Sequence, residues 1–193
     1  MCKEDKYKKI IITYAADGKK NVWLPTTLDD MKKEEQYLES VMVAKSRRPI
    51  TCGRMRVDFI FRRNAAQIPT KKINTPAGEL KIATPEDTAL DLIGYVGHCA
   101  GLDNVATVLA ELAEKIDAGK LQKLAELSPI AWVQRLGYLL DLVGNKDKAQ
   151  GIAEYVMEKR PLRTPLAPAI SSMGAKMDSR WRVFVNTKVE PDL

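Results

Sequence analysis

The chain of 193 residues contains a single histidine and only three cysteines, and each scarcity removes a class of function. One imidazole, His98, excludes any site built from several histidines. Cys2, Cys52 and Cys99 are scattered and odd in number, so they supply neither a disulfide framework nor the paired spacing of a zinc site. No apolar run is long enough to span a bilayer. The lysine-rich start leads only into Ile10, Ile11 and Ile12, too short for the apolar centre of a signal peptide, and a cytoplasmic protein is expected. A glycine-rich phosphate loop is also missing, and no serine or cysteine has a histidine partner beyond the adjacent His98 and Cys99. Neighbours on a helix diverge by about 100°, so that pair cannot act as base and nucleophile if the segment is helical. No cofactor is expected.

What the chain does have is charge, unevenly spread. A hydrophobic share of 45% and a charged share of 29% are those of a soluble globular protein, with length for one well-cored domain and an extension. The net charge is +6, but residues 45–82 hold ten basic residues against Asp58 and Glu79, a net +8. Residues 85–158 hold six basic and twelve acidic residues, a net −6. One segment therefore attracts anions and the other repels them.

The basic segment has the pattern of strands. Met55, Val57, Phe59 and Phe61 alternate with Arg54, Arg56, Asp58 and Arg62, Ile60 being the exception, which is the two-residue period of a half-buried antiparallel strand. Lys71-Lys72-Ile73 and Leu80-Lys81-Ile82 flank Thr75-Pro76-Ala77-Gly78, a hairpin signal. Residues 10–14 and 21–24, joined through Asp17-Gly18, read as another hairpin, followed by a helix at 29–42.

After Ala83 the period becomes helical. Thr84-Pro85-Glu86-Asp87 supplies an N-cap, a first-turn proline and acidic residues at the positive end of the dipole. Four further helices are expected: one capped by Asp103 with Val105, Val108, Leu109, Leu112 and Ile116 on its stripe, and a short one with Leu121, Leu124 and Leu127. The next starts at Ser128-Pro129 and ends at Gly144, and the last buries Ala149, Ile152, Ala153, Val156 and Met157. Residues 160–168 contain three prolines and must be extended, and 180–186 alternate like a returning strand. The expected class is α+β: an antiparallel or mixed sheet from the N-terminal half plus a C-terminal strand, packed with a layer of about five helices.

Several stretches, in order, resemble the C-terminal antitoxin domain of the AbiEi family. They are Arg48-Pro49-Ile50 leading into the strand at Arg54; Thr84-Pro85-Glu86-Asp87-Thr88-Ala89-Leu90-Asp91-Leu92 with Gly101-Leu102-Asp103-Asn104-Val105-Ala106-Thr107-Val108-Leu109; Gln134-Arg135-Leu136-Gly137-Tyr138-Leu139-Leu140; and Arg180-Trp181-Arg182-Val183 with Asn186-Thr187-Lys188-Val189-Glu190-Pro191-Asp192. The resemblance implies an antitoxin domain over 47–193 after a divergent extension over 1–46. It implies an antitoxin of a bacterial type IV toxin–antitoxin, or abortive-infection, system. Such a protein opposes a nucleotidyltransferase-like toxin, functionally and not necessarily by direct contact, and binds DNA to regulate its own promoter. It further implies a winged helix-turn-helix ahead of the domain, for which residues 1–46 leave no room, so DNA contact is expected to be weak and largely independent of sequence.

The residues expected to make that contact are Arg47, Arg48, Arg54, Arg56, Arg62, Arg63, Lys71 and Lys72, whose forked or point charges suit phosphates; the plainer alternative is the solvated face of a sheet. Gln134, Arg135 and Tyr138 are polar on an otherwise apolar helix and suit a packing network more than a partner. Trp181 reads as a core anchor. Two alternatives stand beside the antitoxin reading. One is a plain protein-interaction module. The other is a nuclease, since Asp58 with Glu79-Leu80-Lys81 resembles the D…ExK pattern in which carboxylates hold a divalent ion. A cross-strand charge pair explains the same residues more simply, so no enzyme is expected.

Overall fold

The change from a two-residue to a helical period at 83–85 coincides with a boundary between two compact units, Met1–Thr84 and Pro85–Leu193. The computed structural model describes residues 9–14, 50–52, 55–61, 69–75 and 78–192.

In the first unit the described strands form two sheets. β1 (Lys9–Tyr14), β2 (Ile50–Cys52) and β3 (Met55–Phe61) make one, in the order β1-β3-β2. β3 is central, pairing antiparallel with β2 and parallel with β1, where Lys9 stands opposite Arg56 and Tyr14 opposite Phe61. Residues 10–14 thus have β3 as a parallel neighbour. Residues 21–24 and the helix expected at 29–42 lie outside the described residues. β4 (Thr70–Thr75) and β5 (Gly78–Ala83) form the expected antiparallel ladder, from Thr70 opposite Ala83 to Thr75 opposite Gly78.

The second unit holds five α-helices: α1 (Pro85–Gly94), α2 (Leu102–Ala113), α3 (Ala118–Ala125), α4 (Ile130–Leu142) and α5 (Lys146–Lys159). A 3-10 turn at Val96–His98 separates the first two. The buried side chains that hold the layer together include Leu90 and Ile93 from α1, Val105 and Leu109 from α2, Leu121 from α3, Leu136, Leu139 and Leu140 from α4, and Ile152 and Val156 from α5. Leu127 and Met157, expected inside, are 54% and 70% exposed. Each sits at the edge of its stripe, one turn beyond the buried Leu124 or beside the buried Val156.

Helix ends are set by specific side chains, not all at the expected places. Asp117 caps α3 by accepting from the Lys120 amide at 2.9 Å. α4 ends in a two-bond motif: Gly144 N–H donates to Asp141 O at 3.2 Å and Asn145 N–H to Leu140 O at 2.8 Å. That motif needs a left-handed residue, and Gly144 has φ +83°. Ser128 does not cap α4; its hydroxyl turns back to Leu124 O at 2.8 Å and closes α3. Asp103 lies inside the first turn of α2, behind the cap at Gly101, and binds elsewhere.

The C-terminal strand differs from expectation in its partners. β8 (Val183–Val185) lies between β6 (Thr164–Pro165), parallel to it, and β7 (Lys176–Asp178), antiparallel to it. The proline-bearing extended stretch thus supplies one edge partner and residues 176–178 the other. Both edges of β8 are filled within the second unit, so it does not extend a sheet of the first. The α+β class with five helices stands.

Candidate functional site

Of the residues expected to contact nucleic acid, Arg47, Arg48, Arg54, Arg62 and Arg63 lie outside the described residues. Arg56 sits on β3 between Lys9 of β1 and Thr51 of β2. Lys71 and Lys72 are both exposed on β4, yet they do not share a face. Lys72 stands opposite Lys81, while Lys71 stands opposite Ile82 on the side of Ile73. Neighbouring strand residues always diverge in this way, so a run of basic letters in a strand divides between two surfaces. Lys72 Nζ lies 2.7 Å from Glu79 Oε1, a pair that leaves both side chains at least half exposed and contributes at most about 1 kcal/mol. Glu79 is thus part of a diagonal cross-strand pair. Asp58 stands on β3 opposite Ile11, in the other sheet. Among the described residues no three His, Cys, Asp or Glu side chains are gathered as a metal ion would require.

The polar residues of α4 are engaged with backbone. Gln134, 1% exposed, points its amide nitrogen at the carbonyls of Leu162 (3.1 Å), Trp181 (3.1 Å) and Arg182 (3.3 Å). Arg135 donates from Nε to Pro165 O and from a terminal nitrogen to Thr164 Oγ1, both at 2.9 Å. Burial of that guanidinium holds its pKa below the usual arginine value. One turn on, Gly137 leaves room for the ring of Trp181, which is fully buried and would collide with any Cβ at that position. Trp181 Nε1 donates to Asp141 Oδ2 at 2.8 Å, and the Arg180 guanidinium caps the same oxygen at 3.3 Å while lying 5.2 Å from the indole. Burial, and secondarily the Asp178 carboxylate, push the Tyr138 hydroxyl above its ordinary pKa. The motif Gln134-Arg135-Leu136-Gly137-Tyr138 is therefore a receptor for the chain's own C-terminal segment: two donors for its carbonyls and a seat for its tryptophan.

The remaining motif residues close the same clasp. Asn186 accepts from Ala167 N–H at 2.9 Å and donates to Ala167 O at 2.8 Å and Ile170 O at 2.7 Å, fixing the loop before β7. Beyond it, Glu190 N–H donates to Asp103 Oδ1 and Asp192 N–H to Thr107 Oγ1, both at 2.9 Å, laying the tail along the first turns of α2. Stretches some 85 positions apart in sequence thus meet as donor and acceptor.

Sequence reading overlooked one cluster. Residues 85–193 contain five arginines, and all but Arg135 lie after residue 159. Arg160, Arg180 and Arg182 line one cleft beside α5. Their grouping was invisible in the sequence because a loop of some twenty residues separates the first from the other two.

Residues 29–142 match the family model of the AbiEi antitoxin C-terminal domain. The chain is also similar to the RV2827C protein from Mycobacterium tuberculosis, known from a crystal structure, with 18% identity and a TM-score of 0.48 over 68% of this chain. It spans about half of that protein, 48% of its length. No curated protein sequence matches the chain. With more than half of its residues under that model, the chain belongs to the AbiEi antitoxin family.

Proposed function

We propose that this chain is the antitoxin of a bacterial type IV toxin–antitoxin system, acting in the cytoplasm against a nucleotidyltransferase-like toxin and without catalysis of its own. The observation that carries this reading is the family match over residues 29–142, which runs through parts of both compact units. The use to which the shared motif residues are put agrees with it. Gln134, Arg135, Asp103, Thr107 and Asn186 direct their hydrogen bonds to groups of the same chain, mostly backbone, as a scaffold for presenting a surface requires. On this reading the antitoxin domain occupies 47–193, and DNA contact, where it occurs, uses the basic stretch that includes Arg47, Arg48, Arg54, Arg56, Arg62, Arg63, Lys71 and Lys72. No helix among the described residues is long and apolar enough to cross a membrane.

Growth rescue tests the proposal. Cells producing the cognate toxin resume growth when this chain is co-expressed, and variants that break the clasp lose the rescue in proportion to the fall in folded protein. Arrest that persists with the soluble chain in excess would defeat the antitoxin reading.

A further inference from the structure

We propose that the cleft between the last turns of α5 and the loop before β8 binds the phosphate of a nucleotide-sized ligand. The cleft has a volume of about 390 Å³, within the range that holds small ligands. Its apolar lining comes from Ala153, Val156 and Met157, and its charged lining from Arg160, Arg180 and Arg182 against the one carboxylate of Glu154.

Three observations separate this lining from an ordinary solvated surface. First, two of its arginines hold backbone conformations that L-residues rarely adopt. Among the described residues only Ala100, Arg160 and Arg182 are non-glycine residues with positive φ, and Arg160 (φ +44°) and Arg182 (φ +55°) both line this cleft. Arg160 stands at the C-cap of α5, where glycine would turn the chain without strain. Such outliers concentrate where a side chain's placement matters more than local stability.

Second, the charges are unequally compensated. Arg180 is committed, to Asp141 and to Gln150 Oε1 at 3.1 Å, and Gln150 in turn donates to Glu154 at 2.9 Å. That chain of contacts fixes one wall. Arg182 uses only Nε, on Pro161 O at 2.7 Å, and Arg160 makes no side-chain hydrogen bond or ion pair among the described residues. Two arginines that line the cleft thus keep terminal nitrogens without a partner among the described residues, and a forked donor matches the oxygens of a phosphate.

Third, the apolar lining is wrong for a bare ion. Met157 is 70% exposed there, and a polarisable thioether suits the edge or face of a ring. An anion joined to an apolar ring fills both halves of the site. A long polyanion fits less well, because residues 85–193 carry fifteen acidic and thirteen basic residues and so offer it no net attraction.

Calorimetric titration of the full chain with ATP, with inorganic phosphate and with a single-stranded oligonucleotide tests the assignment. We expect one ATP per chain, bound more tightly than phosphate and weakened by salt. Arg160→Gly should weaken it about tenfold, the scale of one charge-assisted hydrogen bond, and Arg160→Gly with Arg182→Gly further. The glycine at position 160 relieves the backbone strain, so thermal unfolding of that variant should not fall, which separates a binding defect from a folding defect. No heat with ATP at millimolar concentration overturns the proposal, as does ATP binding that survives the double substitution. Oligonucleotide binding that these variants abolish, with ATP silent, assigns the phosphate to nucleic acid and overturns it equally.

Discussion

The indole of Trp181 occupies the volume that a side chain on Gly137 would need. Gly137 lies within α4, where alanine would ordinarily gain about 0.5–1 kcal/mol over glycine. Here the collision dominates, because the obstacle is a fully buried ring with its own hydrogen bond to Asp141 and not the free end of a flexible chain. Gly137→Ala should therefore destabilise the second unit by about 1–3 kcal/mol, the cost of overpacking a filled core. Chemical denaturation checks this, and a variant as stable as the parent would mean that the ring is not seated there.

Gln134 is the second lever on the same clasp. Replacing it with leucine keeps the volume but removes the amide that serves the carbonyls of Leu162, Trp181 and Arg182. Loss of a buried partner of this kind costs about 1–3 kcal/mol. Hydrogen exchange should show faster exchange in 162–166 and 181–185, while the amides of α2 keep most of their protection. Uniform loss across all helices would instead make Gln134 a general core residue.

The cap of α3 gives a pH signature. Asp117 is held below the ordinary aspartate value of 3.8, first by the hydrogen bond from the Lys120 amide and further by the Lys120 charge. A depressed folded-state pKa stabilises the fold above the unfolded value and loses that effect as pH falls through the folded one. The stability difference between the parent and Asp117→Ala should thus be full above about pH 4 and shrink below 3.8. Paired denaturation curves from pH 7 to 2 measure it, and a difference constant across that range would contradict the ionised cap.

DNA binding by the basic stretch should come mainly from released counterions, weakening steeply with salt and varying little with base sequence. Neutralising Arg54, Arg56, Arg62 and Arg63 together should lower the salt slope by about one for each phosphate that is no longer neutralised. A tight, salt-insensitive, sequence-specific complex would reveal a reading element ahead of residue 47. No retention even at low salt would favour a plain interaction module.

The nuclease alternative is open to a direct trial. Asp58→Ala and Glu79→Ala should leave rescue of toxin-arrested cells unchanged, because Glu79 is paired with the exposed Lys72 and Asp58 sits in another sheet. Magnesium-dependent nicking abolished by either substitution would reverse that expectation.

Much of the helical unit was legible because amphipathic stripes repeat many times within one element. Val133, Leu136 and Leu140 fall where their spacing puts them, and Gly144 ends α4 as its place after the last apolar residue predicts. Legibility failed at stripe edges and in pairing. On α1 the buried line runs through Glu86, Ala89, Leu90 and Ile93, so Leu92, equally apolar, is only partly covered, as is Val96 in the 3-10 turn beyond. Nothing local told β1 that it would pair with β3, since strand pairing is decided by distant residues. The two lysines at 71 and 72 show the same limit at the candidate site, because adjacency in sequence becomes separation across a hairpin. The role of Gln134 as a packing residue was readable from its apolar neighbours, whereas its three carbonyl partners were not.

The order in which the second unit is synthesised works against its early completion. All five helices leave the ribosome before Trp181, yet the seat over Gly137 and the donors of Gln134 and Arg135 have no other occupant in the clasp. A nascent chain halted after α5 therefore carries a helical layer with an open, tryptophan-sized notch and unsated polar groups along α4. Its final residues act as the latch that ends the exposure.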